Sequence, residues 1–147
     1  MRTALMLVVL LAFASRMAAQ GPPPRLRVSG DPGLLRITTA VAGSAPTGVS
    51  DVLTTYDVRV SSSSVKRITA RLNAPMPAGV VLTVTLVPPT GATSMGPVVL
   101  DAIARDVVVN ITGVNSTHAI TYQLNATVAA GVIAPSSVTV TFSLIDP

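Results

Sequence analysis

The residues most able to do chemistry are four cations close together in the chain, Arg59, Lys66, Arg67 and Arg71. Guanidinium and ammonium groups at this density suit an anionic glycan, a lipid headgroup or a phosphate, because they bind carboxylate and phosphate oxygens through charge-assisted hydrogen bonds. Arg67 and Arg71 share the polar side of one alternating segment, and Arg59 occupies the polar side of the segment before it. As cross-strand neighbours the three would form one anion-binding face. The plainer reading is a solvated face whose charges discourage edge-to-edge aggregation. No aromatic residue is interleaved with them for base stacking, so nucleic acid is not an expected partner.

His118 is the single histidine. A nucleophile–base pair would need it beside a Ser or Thr hydroxyl, with a carboxylate to orient the ring. Ser116 and Asp106 are near in sequence, but no Gly-x-Ser-x-Gly elbow presents the serine. His118 is expected at an exposed loop edge, and no catalytic residue is assigned. Asp31, Asp51, Asp57, Asp101, Asp106 and Asp146 are scattered without the close spacing of a calcium loop, and turn and strand-edge roles suffice for them. No metal and no cofactor are expected. The chain has no Cys, which excludes disulfides, a thiol nucleophile and a bacterial lipoprotein anchor. Asn110, Asn115 and Asn125 each open an Asn-x-Ser/Thr sequon, which acts as a glycan acceptor in a secreted eukaryotic protein; Ser and Thr are frequent enough here to produce such matches by chance. The Arg-over-Lys bias and the Ala/Val/Gly/Pro-rich composition point to a bacterial chain, where the sequon is usually idle.

The segments that must position these residues alternate apolar and polar side chains with period two, the signature of half-buried strands. Ile120, Tyr122, Leu124, Ala126 and Val128 face one way across 119–128, and Val138, Val140, Phe142 and Leu144 do so across 138–145. A short turn around Gly131 and Pro135 is expected to join the two as an antiparallel pair. The same pattern predicts strands over 25–29 (Leu26 and Val28 inward), 35–41 (Leu35, Ile37, Thr39 and Val41), 52–60 (Tyr56, Val58 and Val60) and 65–73 (Ile68, Ala70 and Leu72). Further strands are predicted over 80–87 (Val80, Leu82, Val84 and Leu86) and 105–111 (Val107, Val109 and Ile111), with 98–104 ambiguous. Ser61 to Ser64 reads as a turn. The stretches 43–50, 74–79, 88–97 and 113–117 read as loops, since paired prolines and glycines interrupt a central strand.

With 147 residues, no Glu, one Lys, no Trp and only 3% aromatic residues, the core must be aliphatic and surface helices have few good formers. Seven to nine short strands at regular spacing predict a single all-β domain, an immunoglobulin-like antiparallel sandwich with Greek-key connections; a closed barrel is the lesser alternative.

Residues 1–19 read as a secretory signal peptide: Arg2 precedes an apolar run from Ala4 to Ala14, followed by small residues. Cleavage fits after Ala14 or after Ala19, and Ala19 is favoured. The apolar run is too short for a bilayer span, which needs about 20 residues. Residues 20–24 form a Pro-rich leader, and 25–147 the sandwich. No later stretch is a membrane-helix candidate, so secretion to the periplasm, outer surface or exterior is expected. The formal charge of +4 includes Arg2 and Arg16 of the leader; removing those two leaves +2, a weak pull on polyanions.

The segments KRITARLNAPMPAGVVLTVTL, PPTGATSMGPVVL and TYQLNATVAAGVIAPSSVTVTFSL resemble a family of uncharacterised secreted bacterial domains. More loosely, the last resembles the end of spore coat protein U and archaic chaperone-usher pilin domains. There an incomplete immunoglobulin-like sandwich is completed by an N-terminal strand from the next subunit. Those domains usually carry cysteines, and this chain has none. The resemblance implies an envelope setting and a structural or adhesive role without catalysis, with partners among copies of itself or other envelope proteins. A pilin-type fibre subunit would donate Leu26 and Val28, or Leu35, Ile37 and Val41, to a neighbour's groove. The other reading is a surface binding module for an anionic glycan.

Overall fold

The computed structural model describes residues 21–38 and 43–147. The signal segment, Gln20 and Val41 lie outside the described residues. Nine strands are present among the described residues: β1 Arg25–Ser29, β2 Val49–Val60, β3 Lys66–Leu72, β4 Val80–Leu86, β5 Thr93–Ser94, β6 Val98–Val99, β7 Arg105–Ile111, β8 Val114–Ala126 and β9 Val140–Ile145. They form two antiparallel sheets packed face to face, one ordered β1-β2-β8-β4-β6 and the other β5-β7-β3-β9. This is the expected all-β sandwich. Only the step from β1 to β2 stays within a sheet; every later connection crosses to the opposite one.

Alternation explains the core. Tyr56, Val58 and Val60 of β2, Ile68, Ala70 and Leu72 of β3, Leu82, Val84 and Leu86 of β4, and Ile120 and Tyr122 of β8 are all buried between the sheets. Each large aliphatic side chain so placed contributes about 1.5–3 kcal/mol relative to exposure. Tyr56 adds a polar tie: its hydroxyl donates to the Val87 carbonyl at 2.6 Å, so the ring stays buried without an unsatisfied donor.

The sheet-crossing connections overturn one expectation. The strands read from 119–128 and 138–145 do not pair with each other. β8 lies between β2 and β4, whereas β9 pairs with β3 in the other sheet. The chain from Ala126 to Val140, including a 3-10 turn at Val128–Ala130, is a crossover rather than a hairpin turn. Four local expectations also change. Residues Leu35–Thr38 alternate but form no strand. The loop expected at 113–117 shrinks, because β8 already starts at Val114. The loop at 88–97 contains the two-residue β5. In β7, two register shifts against β3 bury Val107 and Val108 together and leave Val109 half-buried, so strict alternation fails there. Asn110 takes φ +60° in this irregular stretch.

A bulge in β2 shapes one side of the sandwich. Between Asp51 and Thr54 the register against β8 shifts, pushing Val52 and Leu53 into solvent. The Asp51 carboxylate secures the bulge by accepting from the amides of Leu53 (3.1 Å) and Gly33 (3.4 Å). Gly30, at φ +84°, lets the chain leaving β1 lie against it; a Cβ there would stand 2.8 Å from the Leu53 carbonyl oxygen.

Candidate functional site

β9 is an end strand: among the described residues it pairs only with β3. On its other side β1 approaches from the opposite sheet, and a cleft of about 530 Å³ opens between the two. One wall is the run Val138 to Phe142; the other is formed by Leu26 and Val28, the inward side chains of β1. Thr54 and Tyr122 line the floor, and Asp31 and Pro32 stand at the rim. The walls mix apolar side chains with the hydroxyls of Thr139 and Thr141, and the floor carries two further hydroxyls.

Two features of the floor are unusual. Thr54 is 0% exposed, and its Oγ1 has no hydrogen-bond partner. A buried hydroxyl without a partner costs about 1–3 kcal/mol, so a native structure retaining one calls for an explanation. Tyr122 is 3% exposed, and its phenol pKa is pushed up to about 12, first by burial and then by the charges of Asp51 and Asp31. The cleft is therefore of mixed polarity, hydroxyl-floored and acidic at one rim.

The edge itself is unprotected. β9 and the residues leading into it, Ser136 to Ile145, contain no charge, no proline and no glycine, and the β3–β9 register runs without a bulge. The other three end strands are blunted: β1 carries Arg25 and Arg27, while β5 and β6 are two residues long.

The four cations expected to form one basic face are divided. Arg59 lies on β2, while Lys66, Arg67 and Arg71 belong to β3 in the opposite sheet, so the two groups cannot be cross-strand neighbours. The Ser61–Ser64 turn is a crossover, which chain order does not reveal. On β3, Lys66 is paired with Asp146 (2.6 Å) and Arg67 with Asp106 (3.1 Å); no salt bridge to Arg71 occurs among the described residues. Arg59 instead lies across from Arg25 of β1.

His118 is not at a loop edge. It sits within β8, half-buried on the core-facing side, its ring centroid 5.7 Å from that of Tyr56. Ser116 Oγ lies 2.8 Å from His118 Nε2. The third group of a triad is elsewhere, since Asp106 is engaged by Arg67 on the other sheet. Of the sequon residues, Asn110 and Asn115 are exposed, and Asn125 is half-buried beside Gly48.

Leu26 and Val28 are seated within their own domain, because β1 pairs with β2 along its length. Leu35 and Ile37 line a second hollow of about 420 Å³, shared with Leu124 and Ala126 of β8 and the crossover residues from Ala130 to Ser136. Alternation alone flagged the β9 residues but not their position at an open edge. Thr54 gave no signal in the sequence, because its burial depends on the bulge.

Among the described residues no helix is long and apolar enough to cross a membrane, and no group of three or more His, Cys, Asp or Glu side chains is placed to hold a metal ion. Comparison with protein-family models, with curated proteins and with solved structures finds no match to this chain.

Proposed function

We propose that this protein is a non-catalytic, secreted or cell-envelope β-sandwich with a structural or adhesive role, and that it associates with a second copy of itself by strand pairing at β9. The observation that carries this reading is the bare edge of β9 beside an open cleft. Exposed edges present unpaired N–H and C=O groups that template another strand, and proteins normally blunt them with charge, proline, bulges or short length. β9 has none of these protections.

A second copy suits the edge because a charge-free strand meets no like-charge opposition when it pairs antiparallel with itself. A two-fold arrangement of this kind is the commonest closed oligomer. Since β1 pairs with β2 in its own domain, this reading places the acceptor edge at β9 and does not draw on Leu26 and Val28 as donors. The half-buried Ser116–His118 contact, without an orienting carboxylate, fits packing better than nucleophilic catalysis.

The test is hydrogen exchange on the mature chain across a concentration series. Amides of β9 that face away from β3 are expected to become protected as concentration rises, while those of β1 stay unchanged. Protection that does not depend on concentration would overturn the reading.

A further inference from the structure

We infer that the outer face of the five-stranded sheet at its β1 end is a binding surface for an acidic polysaccharide, read by Arg25, Arg27 and Arg59. The register carries the argument. Arg25 lies directly opposite Arg59, and Arg59 directly opposite Asn115 of β8; in the next polar row Arg27 lies opposite Asp57, and Asp57 opposite Thr117. All six positions project from the same side of the sheet, because their neighbours Leu26, Val58 and Ser116 take the inward phase. Like charges directly opposite each other on an antiparallel pair are destabilising, with Cβ atoms only about 4.5–5.5 Å apart. A sequence that breaks this local rule on an otherwise ordinary sheet marks a functional surface.

Protection of the β1 edge explains Arg25 and Arg27 but not Arg59, which lies on the second strand, inside the edge. One carboxylate is present to offset three guanidinium groups: Asp57 pairs with Arg25 at 2.7 Å. No salt bridge engages Arg27 or Arg59 among the described residues. The opposite sheet differs, since two of its three clustered cations are already paired with Asp106 and Asp146.

The chemistry of the patch selects the partner. Guanidinium forks bind carboxylate and sulfate oxygens in bidentate fashion. Asn115 and Thr117 continue the two rows with an amide and a hydroxyl suited to sugar hydroxyls. No aromatic residue occupies these rows for base stacking, and no large apolar residue stands among them to enter a bilayer. The two polar rows run across three neighbouring strands, so an extended polymer lying over them engages several charges at once.

The experiment uses the mature chain on immobilised heparin and polygalacturonate, one sulfated and one carboxylated polymer, with anionic phospholipid vesicles and single-stranded DNA as comparison ligands. The wild type is expected to be retained on at least one polysaccharide at low salt and released as salt screens the contact. R27S/R59S is expected to lose affinity about tenfold or more, while R36S/R71S, which removes the same charge from elsewhere, stays within about twofold. Thermal unfolding of both variants checks that each remains folded. Equal losses in the two variants would show only net-charge attraction and overturn the assignment. So would absence of retention by the wild type, or tighter binding to vesicles or DNA than to either polysaccharide.

Discussion

Replacing Thr54 with valine is the sharpest single perturbation of the cleft. Thr54 is 0% exposed and its hydroxyl has no partner, so folding removes its hydrogen bonds to water without replacement. Thr54→Val substitutes a methyl group of nearly equal size, which leaves the β2 bulge and the packing of Tyr122 in place. The unfolded chain loses a hydrated hydroxyl and the folded chain loses a stranded one, so the variant should be more stable by about 1–3 kcal/mol. For a sandwich of this size, each kcal/mol moves Tm by about 3–5 °C, giving an expected rise of about 3–15 °C. The assay is thermal unfolding followed by circular dichroism, with a urea titration to show that the midpoint rises while the m-value holds. A loss of stability of about 1 kcal/mol or more would refute the reasoning, because it would mean that the hydroxyl is satisfied in the folded domain.

Other predictions follow from the same contacts. Ile68→Ala, in the centre of the core, should cost about 2–5 kcal/mol in urea unfolding, because the closely packed sheets cannot collapse around the void. Tyr56→Phe should cost about 1–2 kcal/mol by stranding the Val87 carbonyl, and the size of that loss in thermal melts measures the 2.6 Å bond. Tyr56 and Tyr122 both have phenol pKa values raised to about 12, each first by burial. Their contribution is whole below pH 10, where folded and unfolded chains both keep the proton. It is lost as pH climbs from about 10 through about 12, because the unfolded chain ionises first. Absorbance titration of the phenols alongside unfolding at each pH checks both the direction and the window.

Much of the fold is legible in the residues. Where a strand is half-buried, alternation places it well: β1 matches its expected bounds, and Ile68, Ala70 and Leu72, or Leu82, Val84 and Leu86, are buried as their period-two pattern requires. Period two assigns a face, however, and says nothing of the partner. This is why β8 and β9 looked like a hairpin although they belong to different sheets, and why Arg59 looked like a neighbour of Arg67 and Arg71. In both cases the connection crosses the sandwich instead of turning back. Bulges are also silent in a sequence. The one in β2 buries Thr54 and exposes Leu53, and the shifts in β7 bury Val107 and Val108 side by side. The candidate cleft was accordingly the least legible part, since it is made by an edge, a bulge and two strands distant in sequence. Leu35 to Thr38 shows the converse: a strand-like pattern without a strand to pair with, its apolar side chains used instead to line the hollow beside the crossover.

The central claim is that β9 is an open, self-pairing edge, and the most direct measurement is sedimentation equilibrium of the wild type beside Ser143→Glu. Ser143 faces outward on β9 opposite Thr69, with Arg67 and Arg71 on either side in the polar row of β3. A glutamate there is compatible with the folded monomer, yet it puts like charges close together across a β9–β9 junction. The account predicts a mass that rises towards twice the monomer with concentration for the wild type, and a monomer throughout for Ser143→Glu. A wild type that stays monomeric up to its solubility limit, or a variant that associates as strongly as the wild type, would contradict it.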